Sequence, residues 1–127
     1  MPDRLLETRD LRKRFGGLLA TDSVSITLDP GELHAIIGPN GAGKTTLVAQ
    51  LAGELAPDHG TVRFAGADVT AEPPHRRAAR GLIRSFQVTS VFLDFTALDN
   101  VAMAVQARAG SFHFWCPARR DAALRDP

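Results

Sequence analysis

The sequence has almost no cysteine, no marked excess of charge of one sign and no long apolar run. Its one cysteine, Cys116, cannot form an internal disulfide. Lysine and arginine number 15 and aspartate and glutamate 14, so bulk charge gives no reason to expect nucleic acid or an acidic membrane as a partner. No apolar run approaches the roughly 20 residues that cross a bilayer. With no signal peptide at its start, we expect the chain in the reducing cytosol, where any membrane role goes through a partner.

The remaining composition is that of an ordinary folded protein. Hydrophobic residues make up 44% of the chain and charged residues 23%, which excludes a disordered tail and a fibrous repeat. The 127 residues are enough for one modest domain around a single core, and two domains would be crowded. There is no internal repeat and no low-complexity linker.

The first half of the chain shows two strand patterns and one helix pattern. Apolar and polar residues alternate within Leu18–Leu28, which predicts a strand with one solvated face. The short run Leu33–Ile37 is apolar except for His34, which predicts a strand buried on both faces. A helix is expected to start near Gly43 and to end near Gly53. The residues expected on its apolar side are Leu47, Val48 and Leu51.

The second half predicts shorter elements and one further helix. The shorter elements are a strand through Val62 and Phe64, a short helix over His75–Arg80 stopped by Gly81, and a strand leading into a loop over Leu82–Gln87. Thr96 and Asp99 stand at the spacing of a capping box, which predicts that a helix begins there. The apolar residues that share one face of this helix are Leu98, Val101, Ala102 and Val105.

One stretch, Gly38–Thr45, fits the pattern G-x-x-x-x-G-K-[ST] of a phosphate-binding loop. A buried strand is predicted before it and a helix after it, which is the context that this motif requires. Glycines let the backbone take positive φ and turn several N–H groups toward one point at the helix start. Lys44 would then reach the β and γ phosphates of a nucleotide, and the Thr45 hydroxyl would bind Mg²⁺. The alternative is a glycine turn that caps a helix, with Lys44 in solvent.

The stretches around this loop carry a family resemblance. The loop is written GPNGAGKTT; before it stands KRFGGLLATDSVS, and after it stand LIRSFQVTSVF and TALDNVAMAVQARAG. Together they resemble the front half of an ABC transporter ATPase subunit, and more narrowly the ATP-binding subunits of branched-chain amino acid importers. The resemblance covers nearly the whole chain. It implies an α/β fold of the P-loop NTPase class and ABC ATPase type, in which an antiparallel β subdomain precedes the start of a parallel RecA-like core, here truncated.

The resemblance also implies cofactors and the residues that hold them. The β subdomain and P-loop would occupy about residues 1–87, and the Q-loop with the start of a helical subdomain about residues 87–127. ATP and Mg²⁺ are the implied cofactors. The implied nucleotide contacts in the loop are Gly38, Asn40, Gly41, Ala42, Gly43, Lys44, Thr45 and Thr46, and the implied Mg²⁺ ligands are Thr45 and Gln87.

Two residues outside the loop have roles only through the resemblance. Phe15 stands 23 residues before Gly38, where the family places an aromatic ring that stacks on adenine. Phenylalanine replaces the commoner tyrosine there, and a ring face is sufficient for stacking. Gln87 matches the Q-loop glutamine, whose neutral amide binds Mg²⁺ or its water and links the nucleotide to the membrane partner. The alternatives are a core residue at Phe15 and a plain surface residue at Gln87.

Protein partners are implied in the same way. Val88–Phe95 is the expected docking surface for transmembrane permease subunits, with a buried loop as the alternative. A second ATPase subunit would join head to tail in the full-length form, peripherally on the cytoplasmic face of the cell membrane. No nucleic acid partner is expected, because no aromatic residues alternate with the basic segment and a solvated helix face is favoured. The basic residues of that segment are His75, Arg76, Arg77, Arg80 and Arg84.

The parts needed for ATP hydrolysis are not found after Gln87. Val91–Asp94 resembles a Walker B strand, but it begins four residues after Gln87, and Phe95 stands where the catalytic glutamate belongs. The only later glycine is Gly110, so the family's signature loop has no match. We therefore expect an amino-terminal fragment that binds ATP with Mg²⁺ without turning it over, while the full-length form is an ATPase coupled to amino-acid transport. The sheet of such a fragment would lack neighbouring parallel strands, and the apolar edges left exposed would favour aggregation.

Two other functions are compatible with the phosphate-binding motif. One is an ABC ATPase without a membrane partner, acting on the ribosome or on DNA. The other is a non-catalytic module that uses ATP as a structural ligand. The flanking stretches favour the energy-coupling subunit of an importer for branched-chain amino acids or related small solutes. The widely spaced histidines, none of them paired with cysteine, give little support for a transition-metal site.

Overall fold

The computed structural model describes residues 4–86 and 91–109. The chain divides into two compact units, Met1–Arg84 and Ser85–Pro127. Gln87 and residues 88–90 lie outside the described residues, as does everything after residue 109. Within the described ranges no helix is long and apolar enough to cross a membrane. The same ranges contain no group of three or more His, Cys, Asp or Glu side chains arranged to hold a metal ion.

The first unit is built on an antiparallel sheet of five strands. The strands are β1 (Leu6–Phe15), β2 (Leu18–Val24), β3 (Thr27–Leu28), β4 (His59–Phe64) and β5 (Ala67–Asp68). Their order across the sheet is β2-β1-β4-β5, and β3 pairs with the start of β1. β1 is thus the central strand, with β2 as its hairpin partner on one side and β4 on the other. The strand predicted within Leu18–Leu28 is confirmed in position, but it is divided into β2 and β3.

A small apolar core holds this unit together. Its buried residues are Leu6, Leu11, Leu47, Val62, Phe64 and Val69. Burying a side chain of this size contributes roughly 1.5–3 kcal/mol. Thr8 is buried near them, and its hydroxyl donates to the Val24 carbonyl (3.2 Å) and accepts from the Ile26 N–H (3.0 Å). The predicted strand through Val62 and Phe64 is confirmed.

The three helices of the described residues match predicted ones. They are α1 (Lys44–Ala52) and α2 (Pro74–Ala79) in the first unit and α3 (Ala97–Ala109) in the second. The capping box of α3 is present, because the Asp99 N–H donates to the Thr96 hydroxyl at 3.1 Å and the Thr96 N–H donates to the Asp99 carboxylate at 3.3 Å. Local signals alone were sufficient for these helix starts.

The buried strand predicted over Leu33–Ile37 is not formed. The segment has no strand assignment, and the side chains of Leu33 and Ile37 are 98% and 92% exposed. A strand buried on both faces needs hydrogen-bonded neighbours at its edges and covered faces. No strand of the described residues pairs with this segment, so its apolar residues have nothing to pack against and the prediction was wrong.

The strand predicted over Leu82–Gln87 is also wrong in its described part, residues 82–86, which have no strand assignment. The Leu82 N–H donates to the Arg77 carbonyl at 3.0 Å, and this bond closes a turn after α2. The apolar signal for a strand came from three residues, Leu82, Ile83 and Phe86. The hydrogen bonding at the end of α2 outweighs so short a pattern.

The basic segment at α2 contains a buried arginine. Arg77 is 1% exposed, and burial lowers the pKa of its guanidinium from the ordinary value. Its hydrogen bonds go to main-chain carbonyls, those of Gln50 (2.8 Å), Leu51 (2.7 Å), Thr70 (2.9 Å) and Glu72 (2.9 Å). Arg80, by contrast, is exposed and pairs with the Glu72 carboxylate at 2.7 Å. The expectation of a solvated face is therefore wrong for Arg77.

Candidate nucleotide-binding site

The loop before α1 is seated against strand β2. Gly43 caps the start of α1 with a φ of +85°, in the left-handed region that favours glycine. A Cβ atom at this position would lie 2.1 Å from the carbonyl oxygen of Ala20 in β2, far inside any allowed contact. A side chain at position 43 would therefore displace the helix start or strain the backbone. Glycine here determines how closely the loop approaches the sheet.

The start of α1 is open to an anion. The first N–H groups of a helix have no carbonyl one turn before them, and they carry a partial positive charge. No side chain of the described residues caps Gly43, and the first turn of α1 contains no acidic residue. Thr45 and Thr46 lie in this first turn, with Thr45 exposed and Thr46 half-buried. The helix start therefore offers N–H donors and hydroxyl groups without a competing carboxylate.

Lys44 folds back over the loop. Its ammonium Nζ donates to the carbonyl oxygens of Gly38 (2.5 Å) and Pro39 (2.7 Å). The Ala42 N–H donates to the Pro39 carbonyl at 3.3 Å, which tightens the turn beneath the ammonium group. The positive charge is thus placed directly on the loop. The alternative of a Lys44 side chain free in solvent does not describe this geometry.

An open groove of about 320 Å³ adjoins the loop. One wall is β2, including Ala20 and Thr21, and the other includes Ile36, Ala42 and Lys44. Thr21 of β2 also binds α1, because its buried hydroxyl donates to the side-chain carbonyl of Gln50 at 3.1 Å. The groove therefore lies beside β2 and α1, which the hydrogen bond between Thr21 and Gln50 joins.

Phe15 ends β1 as an exposed ring. Its side chain is 49% exposed, so it is not a core residue of the first strand pair. The ammonium group of Lys13 lies 5.8 Å from the ring centroid, and it also pairs with the Asp58 carboxylate at 2.7 Å. Asp58 accepts a second bond from the Arg14 N–H at 2.8 Å. The hydrogen bond from Lys13 is the main reason why the pKa of Asp58 is lowered.

The predicted site residues of the loop lie together at the start of α1, and Phe15 is placed in the same unit. The loop residues Gly38, Asn40, Gly41, Ala42, Gly43, Lys44, Thr45 and Thr46 form the junction between the loop and α1. Phe15 lies in the same unit, at the end of β1. Gln87 is outside the described residues, so the predicted pair of Mg²⁺ ligands, Thr45 and Gln87, stays a prediction.

Sequence reasoning missed the buried polar residues that support α1. Gln50 is 0% exposed and bonds to Thr21, and Arg77 binds the end of the helix. The spacing did contain a signal for Gln50, because it lies three residues after buried Leu47 and therefore on the same helix face. A polar residue on the apolar side of a short helix needs a partner. No local sequence pattern indicates the role of Arg77.

In the second unit, Val91–Phe95 forms a turn with exposed apolar side chains. Its members Val91, Phe92, Leu93 and Phe95 are between 47% and 90% exposed, so the alternative of a buried loop does not hold for them. The turn adjoins a cavity of about 410 Å³. Val91–Asp94 has no strand assignment, in agreement with its rejection as a Walker B strand.

Comparison with known proteins identifies the family. The family model described as ABC transporter matches residues 21–125. The ribose import ATP-binding protein RbsA of Rhodococcus jostii is 42% identical over 105 residues, which are 83% of this chain and 21% of that protein. The probable branched-chain amino acid transport ATP-binding protein LivG of Archaeoglobus fulgidus is 39% identical over 101 residues, 80% of this chain and 39% of that protein. The chain thus spans about a fifth to two fifths of these curated relatives.

Solved structures agree with the sequence comparison. A crystal structure of the ADP conformation of an ATP-binding cassette of an ABC transporter has a TM-score of 0.65 and 40% identity, covering 68% of this chain and 34% of that one. A second structure of such a cassette has a TM-score of 0.74 and 30% identity, covering 96% of this chain and 50% of the other. The predicted fold class and resemblance are therefore confirmed, and the chain belongs to the ABC transporter family of ATP-binding domains.

Proposed function

We propose that the loop at residues 38–46 binds the triphosphate of ATP together with Mg²⁺, as part of the energy-coupling subunit of an ABC importer. The observation that carries this proposal is the seating of Gly43 on β2, with the Lys44 ammonium group placed over the loop. Exchanging two carbonyl partners for phosphate oxygens would cost the ammonium group little, because both are oxygen acceptors. Helix N–H groups would bind the remaining phosphate oxygens.

The expected affinity follows from the number of charged hydrogen bonds. A hydrogen bond to a charged group contributes roughly 1.5–3 kcal/mol. A handful of such bonds, less the entropy lost on association, corresponds to binding of about −8 kcal/mol, in the micromolar range. Phosphate contacts alone therefore suffice to hold the nucleotide, and the base contact adds selectivity.

The hydroxyl oxygen of Thr45 also suits Mg²⁺, because this ion prefers oxygen ligands and keeps several waters. The Thr45 hydroxyl is exposed in the first turn of α1, next to the residue that would hold the β and γ phosphates. We assign it as one ligand of the ion. Gln87, which lies outside the described residues, is assigned as another through the family resemblance alone. When bound, the ion would neutralise charge on the phosphates; the chain itself contributes the hydroxyl, the amide and the helix N–H groups.

Phe15 is proposed to stack on the adenine ring. The exposed ring offers apolar contact and stacking, which contribute roughly 1–3 kcal/mol per base. Lys13 lies over one face of the ring, and we propose that the base stacks on the opposite face. The ion pair of Lys13 with Asp58 holds that ammonium group in position.

Transport coupling is proposed through the second unit. The exposed turn Val91–Phe95, with Val88–Ser90 before it, is assigned as the contact for the permease subunits. Asn100 of α3 holds this turn in shape, because its side chain accepts from the Phe92 N–H at 2.9 Å and donates to the Phe92 carbonyl at 3.1 Å. The turn therefore presents its apolar side chains as a formed surface, which is what a docking partner needs.

The whole subunit is proposed to hydrolyse ATP as a head-to-tail dimer on the cytoplasmic face of the membrane. For the 127-residue chain itself we propose binding without turnover, because the hydrolytic parts of the family have no match in it. Relatives include importer proteins named for ribose, branched-chain amino acids and spermidine with putrescine. Among these we propose branched-chain amino acids, on the stretches that flank the loop.

Replacing Lys44 by alanine tests the phosphate site. The variant loses a charged group that contacts two phosphates, so the affinity for MgATP should fall by at least about 100-fold. Titration calorimetry on the folded chain measures this change. Arg63→Ala is the matched control, since it removes an exposed cation from β4 and should leave the affinity unchanged. Equal affinities of Lys44→Ala and the wild type would refute the phosphate assignment.

Replacing Phe15 by alanine tests the base contact. Loss of stacking should weaken MgATP binding about 5- to 150-fold, and ATP and GTP unequally. Phe15→Tyr keeps a ring face and should bind nearly as the wild type does. Inorganic tripolyphosphate, which has no base, should bind all three proteins alike. A uniform loss for tripolyphosphate and ATP would mean that Phe15 supports the fold and not the base.

Replacing Phe92 by aspartate tests the permease contact. A charge within the apolar surface should abolish capture of permease subunits when the tagged chain is isolated from membranes of the source cell. Leu18→Asp, which changes an exposed leucine of β2 in the first unit, is the control and should preserve capture. Capture of ribosomes or DNA in place of permease would favour the non-transport ABC ATPase.

A further inference from the structure

The last turn of α1 is held by the buried guanidinium of Arg77. One nitrogen of that group, Nη1, donates to the carbonyls of Gln50 (2.8 Å) and Leu51 (2.7 Å), both in the last turn of the helix. The other nitrogens donate to Thr70 and Glu72 in the segment between β5 and α2, each at 2.9 Å. A single side chain therefore joins the end of α1 to a second part of the unit.

The contact is too close to be incidental. Gly53 ends α1 with a φ of +80°, and a Cβ atom there would lie 2.6 Å from Nε of Arg77. Only glycine at this position lets the guanidinium reach the helix end. A cation at a helix C-terminus also complements the partial negative charge of the last carbonyls.

The two ends of α1 are thus anchored independently. Gly43 lies against the Ala20 carbonyl at the start of the helix, and Arg77 binds the carbonyls at its end. The nine residues of the helix span about 13 Å. Between these ends only Leu47 and Gln50 are buried. Leu47 and Leu51 pack on the core and Gln50 bonds to Thr21, so the contacts at the two ends add to a small set that fixes the axial position of α1. The hydrogen bonds that α1 offers to an anion tolerate only a few tenths of an ångström of displacement.

We propose that Arg77 is a positioning residue of the phosphate site, which it controls from the opposite end of α1. The proposal rests on the proposed function, because it assumes that the start of α1 binds the nucleotide phosphates. By fixing the axial position of the helix, the guanidinium keeps the first N–H groups and the Lys44 ammonium in register with the loop. Arg77 does not touch the nucleotide.

The test compares Arg77→Ala with Arg80→Ala, its neighbour on the surface of the same chain segment. Arg77→Ala should weaken MgATP and tripolyphosphate binding by at least about tenfold, the equivalent of one charged hydrogen bond. Arg80→Ala removes an exposed guanidinium whose hydrogen bonds within the described part of the chain go to the Glu72 carboxylate, and it should keep the wild-type affinity. Calorimetry gives the affinity, and heteronuclear NMR spectra give the folded fraction to which it is referred.

Chemical rescue separates positioning from simple stabilisation. Guanidinium ion at millimolar concentration, far below denaturing levels, can occupy the space left in Arg77→Ala. Positioning predicts that it restores MgATP affinity in the folded protein. Recovery of thermal stability with no recovery of affinity, or an affinity of the folded variant equal to that of the wild type, would overturn the proposal.

A measurement on the wild-type chain covers the case in which Arg77→Ala does not fold. The Nε–Hε resonance of Arg77 should shift on addition of MgATP, although the nucleotide binds at the other end of α1, and the resonance of Arg80 should not. An unchanged Arg77 resonance at saturating MgATP would contradict the proposal. Absence of any MgATP binding by the wild type would instead overturn the proposed function.

Discussion

The approach of Gly43 to the carbonyl of Ala20 is the contact on which the rest of the site depends. It holds the start of α1 against β2 at a distance that no side chain permits. The start of α1, the Lys44 ammonium group and the adjoining groove all lie at this contact. The proposed phosphate site therefore rests on main-chain packing as well as on the Lys44 side chain.

This arrangement separates the tasks of the molecule. In the proposed function, main-chain N–H groups and one ammonium group recognise phosphate, which every nucleoside triphosphate carries. We assign selectivity for the base to the exposed ring of Phe15, whose neighbour Lys13 is held by Asp58. We assign contact with a membrane partner to the turn Val91–Phe95 in the second unit. On this proposal, the residues that hold the nucleotide contain no information about the transported solute.

The sequence predicted the features that depend on near neighbours in the chain. The loop and the start of α1 follow from glycine, lysine and threonine within eight residues, and the α3 cap follows from Thr96 and Asp99. Leu33–Ile37 was predicted wrongly, because a buried strand depends on neighbours that its own residues cannot specify. Arg77 was missed for a similar reason: two of its acceptors stand 26 and 27 residues earlier in the chain. The exposure of Phe15 also required the structure, since irregular pairing of β1 with β2 obscures which face a residue takes.

The most direct test of this account is MgATP titration of Gly43→Ala, with Gly66→Ala as the control. Both glycines have φ near +80°, but only the new Cβ at position 43 would meet another atom, whereas nothing lies within 4 Å of the one at position 66. The account predicts no measurable binding heat for Gly43→Ala, near wild-type affinity for Gly66→Ala, and an intact sheet in both by circular dichroism. Wild-type affinity in Gly43→Ala would contradict it.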